Sequence, residues 1–234
     1  MGEYNKDDLG AGWSKKTALD PKSGKSFNRY FYKRRKAHCI EIDTPKAKVL
    51  SGYALIEKDL RSAIVWLNEI IELLDFYPGF DQKNGYVKSG QDRDKFNVAK
   101  GLFVAALTFY GKSFSQCEGR RIKLERSNLD EALHEQHDEA MSFRHNFAAH
   151  SGARKIEMVR VVIALDSRKR KGTPPYMGRE LSQPDSPVKS DIEDMIELFK
   201  HAQKYTNDKI ETLTKKVYSE DILEKGSDYW YGET

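Results

Sequence analysis

From Leu50 onward the chain repeats apolar residues at spacings of four and three: Ile56, Leu60, Ala63, Leu67, Ile70, Leu74 and Tyr77. That period puts them on one face of a helix near 3.6 residues per turn, and no strand could bury them together. Pro78-Gly79 ends the run, since proline lacks the amide the next turn needs. A helix this long with one apolar stripe must pack against partners of the same kind, which the remaining chain must supply. After a polar, glycine-containing loop over 78–91, Phe96, Ala99, Phe103, Ala106 and Tyr110 form a second stripe, with Gly111 as its expected stop. Ser127-Asn128 followed by Glu131 has the form of a capping box and predicts a third helix over 129–149, closed by Gly152. Its apolar face is thin: Leu129, Leu133, Ala140, Phe143 and Phe147, with Gln136 among them. Ile192, Ile196, Phe199, Gln203, Thr206, Ile210, Leu213 and Val217 line the last helix over 191–218.

The β-branched run Val159, Val161, Val162, Ile163 within 158–165 favours a short strand, and the proline-containing segment 166–190 after it a loop or hairpin extension. The expected fold is therefore mainly α, an antiparallel bundle of about four long helices with a small β insertion at 156–190 before the last. The helical domain spans 49–218. Residues 1–48 read as a basic, loosely structured arm with a weak strand pattern at Ala37–Ile42, and 219–234 as an acidic, aromatic tail.

Charge is segregated. Residues 1–50 hold 12 basic and 6 acidic side chains and 152–190 hold 9 and 4, whereas 191–234 hold 6 and 11. Two dense basic runs stand out, Arg29 to Lys36 with interleaved Tyr30, Phe31 and Tyr32, and Arg168 to Lys171. Lysine and arginine neutralise phosphates and aromatic rings stack on unpaired bases, which makes Arg34, Arg35, Lys169 and Arg170 candidate RNA contacts. The same runs would also serve as an ordinary solvated surface.

No stretch approaches the roughly 20 apolar residues of a membrane span, so no membrane partner is expected. Met1 to Lys25 has no apolar segment after a basic start, and the two cysteines, Cys39 and Cys117, stand alone; the expected compartment is the cytoplasm. No phosphate-binding glycine loop, no G-x-S-x-G and no catalytic-cysteine context is present, and no cofactor is expected.

Chemistry concentrates on the third helix, which carries His134, His137, His145 and His150 beside Arg144. His134 with Asp138, or with His137, could give a metal two ligands, but no third is marked and H-E-Q-H is not the H-E-x-x-H spacing, so no metal is expected. Metal-free work on phosphate fits better: histidine transfers protons near neutral pH, and arginine offers fixed donors to a phosphoryl transition state. Six residues separate Arg144 from His150, which turns their side chains about 120° apart on an ideal helix. They converge if the helix frays, or if a second copy supplies the other half. Equally, Arg144 could pair with Glu135 or Glu139, and His150 could sit at a helix end favoured by the dipole.

The stretch Ser142-Phe143-Arg144-His145-Asn146-Phe147-Ala148-Ala149-His150-Ser151-Gly152 resembles the signature of the HEPN superfamily. That signature is an arginine, a polar residue after it, and a histidine four to six residues beyond the arginine. The resemblance covers about residues 50–218. It implies a homodimer in which two motifs form one composite site. It also implies a metal-independent endoribonuclease of the toxin–antitoxin, abortive-infection or phage-defence kind. In that chemistry His150 acts on the ribose 2′-hydroxyl or the leaving 5′-oxygen. Arg144 holds the scissile phosphate, and His145 and Asn146 position it. The products are a 2′,3′-cyclic phosphate and a 5′-hydroxyl. RNA and an antitoxin or defence-complex protein are the implied partners. A non-catalytic helical module that binds RNA or protein, or a regulated subunit of a larger complex, is the competing expectation.

Overall fold

In a computed structural model of the chain, residues 6–75, 80–81, 86–87, 93–145, 158–170, 172–182 and 189–232 are described. The chain is mainly helical, with small antiparallel sheets, and divides into two compact units: residues 1–47 with 215–234, and residues 48–214.

The larger unit holds the long helices. α1 spans Pro45–Asp75, beginning in the first unit, and α2 spans Arg93–Ser113. α3 covers His134–Phe143, and α4 runs over Lys189–Lys216. The stripe read from spacing is the buried face: Ile56, Leu60, Ala63, Leu67 and Ile70 of α1 are inaccessible to solvent, as are Ala106 and Tyr110 of α2 and Ile192 and Phe199 of α4. Each large side chain buried this way contributes about 1.5–3 kcal/mol. Particular contacts tie the helices into one core. Trp66 of α1 meets Phe109 of α2 edge-on at 4.7 Å, and Gln203 of α4 donates to Glu57 of α1 at 3.1 Å. The strand expected at 158–165 is β7 of a hairpin formed by Met158–Ala164 and Tyr176–Ser182 (β8). Two-residue strands at Phe80–Asp81 and Tyr86–Val87, β5 and β6, occupy part of the loop after α1.

Three local expectations are revised. Asn128 closes a capping box with Glu125 rather than with Glu131: in a 3-10 turn at Arg126–Asn128 its side chain accepts from the Glu125 amide, so α3 starts later than its sequence predicts. Gly111 does not stop α2, which continues to Ser113. Ala37–Ile42 carries no strand.

The smaller unit replaces the expected loose arm by a four-stranded antiparallel meander: β1 Lys6–Gly10, β2 Trp13–Leu19, β3 Ser26–Tyr32 and β4 Arg35–Lys36. The C-terminal residues of the same unit wind as a π-type turn over Val217–Leu223 and then as α5, Gly226–Gly232. Asp221 accepts from Thr44 and from the Lys46 ammonium at 3.0 Å, and these partners hold its carboxyl below the usual carboxylate range. Glu220 and Asp221 of the tail thus share a basic partner, Lys46, within their own unit.

Asp59 of α1 is a buried charge in the larger unit. Its side chain is 1% exposed, with the Lys112 ammonium at 2.9 Å, that of Lys58 at 3.1 Å and the buried Arg120 guanidinium at 3.8 Å. Neither carboxylate oxygen has an aligned hydrogen bond, so charge rather than directed bonding holds the group. Removing it strands the Arg120 cation in a dry site. Asp59→Ala is expected to lower unfolding free energy by about 3–5 kcal/mol in urea melts, whereas Arg61→Ala, which breaks only an exposed pair, should cost less than about 1 kcal/mol.

Candidate active site at the end of the third helix

α3 is positioned by one buried polar contact. Tyr110 of α2 is fully buried, stacks on Phe199 of α4 at 4.1 Å with planes 3° apart, and shares a 2.8 Å hydrogen bond with His137 Nδ1 of α3. Phe114 closes over the same imidazole at 4.4 Å. Burial pushes the Tyr110 hydroxyl up and the His137 imidazole down from their ordinary values, so both stay neutral and can satisfy each other.

The outer face of α3 carries a second cluster. The Arg126 guanidinium donates to Asp138 at 2.9 Å and to His134 Nδ1 at 2.7 Å. A guanidinium has only donors, so Nδ1 of His134 must accept, and the ring proton sits on Nε2, which donates to the Leu129 carbonyl at 3.2 Å. Arg126 also holds Asp138 below the ordinary carboxylate range. The two residues with ligand-like spacing, His134 and Asp138, are therefore satisfied by an arginine that spacing could not reveal. No three His, Cys, Asp or Glu side chains converge as a metal site among the described residues.

Arg144 follows the last turn of α3. Its backbone stays helical, its amide bonds to both the Ala140 and Met141 carbonyls, and the winding widens to a π-type turn at Arg144 and His145. Such widened turns recur at functional sites. The Arg144 side chain is half-buried and lies across Gly111 of α2, where an added Cβ would meet its Cδ at 2.3 Å and its Nε at 2.8 Å. Gly111 is thus the floor that Arg144 occupies. Among the described residues no carboxylate, Glu135 and Glu139 included, pairs with Arg144. His145 is exposed beside it. Asn146 and His150 lie outside the described residues.

The basic candidates separate. Arg34 sits with Lys33 in the two-residue β3–β4 turn, and Lys169 and Arg170 lie in the β7–β8 connection, where Arg170 binds Asp166 at 2.7 Å. Lys33 and Arg34 both have positive φ, 43° and 70°, in a tight hairpin turn that ordinarily selects Asn-Gly. That conformation costs a non-glycine residue roughly 1–2 kcal/mol.

With this geometry in hand, comparison with known proteins returns nothing: no protein-family model, no curated protein and no solved structure matches the chain.

The depressed His137 ionisation has a consequence for pH. Its folded-state pKa lies below the unfolded value of about 6.5, so the unfolded chain binds the proton more readily. The resulting stabilisation is complete above that value and is lost as pH falls through the folded pKa. Urea midpoints are expected to fall between pH 7.5 and pH 5, and His137→Gln to flatten that slope. An unchanged slope in the variant would remove His137 as its source.

Proposed function

We propose that the chain is a metal-independent endoribonuclease of HEPN type, its helices forming an antiparallel bundle of about four long members. Arg144 binds the scissile phosphate and its transition-state charge, His150 serves as acid or base at the 2′-hydroxyl and the leaving 5′-oxygen, and His145 and Asn146 position them. The observation that carries this reading is Arg144 itself: a half-buried arginine on a glycine floor, unpaired with any described carboxylate, at a widened helix end. A structural arginine at a helix surface would find an acid; this one keeps its donors for an external anion. Because His150 lies six residues on, the composite site needs a second copy of the helix or a departure from helical winding between them.

A homodimer answers that need. The β7–β8 hairpin leaves Val159, Val161, Ile163, Met177 and Leu181 exposed on one face, an apolar surface of the kind partners cover. Lys169 and Arg170 in its connection would meet RNA phosphates, and Arg34 and Arg35 would do so within the smaller unit. An RNA-cleaving enzyme with this chemistry needs restraint in its own cell, which is the place of an antitoxin or a defence-complex partner.

The test uses end-labelled RNA and DNA of one sequence in excess EDTA. RNA alone should be cut, and Arg144→Ala and His150→Ala should each slow cutting by about 10²–10³-fold. Gly111→Ala separates site from fold. Alanine is the better helix former by about 1 kcal/mol, which offsets the packing lost as Arg144 is displaced, so the melting temperature should move little while cleavage falls at least tenfold. EDTA-resistant cutting unchanged in all three variants would place the activity elsewhere.

A further inference from the structure

We propose that the smaller unit carries a separate binding groove for single-stranded nucleic acid, which takes a base against Trp13 and Tyr32 and the adjoining phosphate against Arg35 and Lys36. This deepens, and rests on, the reading of Arg35 as an RNA contact, but it needs no cleavage at Arg144.

The groove follows from strand register. Trp13 of β2 pairs with Tyr32 of β3, and Tyr32 pairs with Arg35 of β4, so the three side chains form one row across one face of the sheet. The two rings are 5.0 Å apart and tilted by 45°, and each is 42% exposed, although large aromatic rings are ordinarily buried. Trp230 and Tyr231 of α5, in the same unit, line the groove with them, and its volume is about 960 Å³, within the range of ligand sites. The Trp230 indole N–H is already committed to the Ile222 carbonyl at 3.1 Å, so this residue offers the groove a ring rather than a donor.

Charge selects the occupant. Lys33, Arg35, Lys36 and His38 line the groove, and none of the described lining residues is acidic. An apolar helix would leave these cations without partners. An acidic peptide would answer them but has no planar group for four aromatic side chains. A nucleotide strand supplies rings and phosphates in alternation, and sequence-tolerant readers of single strands combine aromatic platforms with basic walls. The strained Lys33-Arg34 turn places further basic side chains at the end of the same hairpin, a conformation kept against its backbone cost.

The test measures binding apart from cleavage. The whole chain is titrated into a fluorescent 12-residue 2′-O-methyl RNA, which has no free 2′-hydroxyl to attack, and anisotropy is followed. Two variants address the groove. R35E/K36E reverses exposed charges, and Tyr231→Ala removes a ring that is 69% exposed, so neither disturbs a core. K200E/K204E on α4 makes the same charge change outside the groove. Binding should weaken at least tenfold in both groove variants and less than threefold in the control. Equal loss in all three would overturn the proposal, as would a glutamate 12-mer or nucleoside monophosphates displacing the strand at concentrations equal to its own.

Discussion

The hydrogen bond between Tyr110 and His137 is the constraint on which the arrangement of the larger unit turns. Neither group could be buried alone without a cost of about 1–3 kcal/mol for an unsatisfied polar atom. Together they let a tyrosine of α2 stack flat on Phe199 of α4 while gripping the first turn of α3. Among the described α-helices of this unit α3 is the shortest, and its buried residues are only His137 and Ala140, so it depends on directional contacts. Its far end carries Arg144. A helix fixed at one end by a buried polar pair and at the other by packing over Gly111 holds a guanidinium in place without neutralising it.

The histidines of α3 have different duties, set by surroundings rather than by residue type. His137 is a core group with its ionisation suppressed. His134 is locked in one tautomer between Arg126 and Leu129. His145 alone of the described three is exposed, and it stands next to the arginine. The cluster that reads in sequence as one polar face thus sorts into a buried imidazole, a half-buried one held by an arginine, and an exposed one. The smaller unit contributes differently: most of the described residues of β2 and β3 are exposed, Trp13 and Tyr32 among them, and the sheet presents rings and cations.

Most of the helical unit was legible in the sequence because its cores obey one period. Ile56, Leu60, Ala63, Leu67 and Ile70 are buried as their spacing demands, and β7 lies where β-branching placed it. The meander at 6–36 was hidden for the opposite reason. Strands are recognised by alternation between a buried and an exposed face, and β3, with Ser26, Phe27, Asn28, Arg29 and Tyr30 all exposed, has no such contrast to read. Arg126 escaped notice because its partners lie 8 and 12 residues on, joined through a 3-10 turn with no sequence period. Local rules make Gly111 a helix stop, whereas in the fold it lies under Arg144, a tertiary approach those rules do not contain. That Trp230 and Tyr231 line one groove with Trp13 and Tyr32 likewise depends on segments distant in the chain.

The ends of the cleaved RNA test the central claim most directly, because they record the chemistry rather than its rate. Mass spectrometry of fragments produced in EDTA should show 2′,3′-cyclic phosphates and 5′-hydroxyls, the outcome of attack by the neighbouring 2′-oxygen with Arg144 on the phosphate. Fragments bearing 3′-hydroxyls and 5′-phosphates would mean attack by water from elsewhere and would contradict the account.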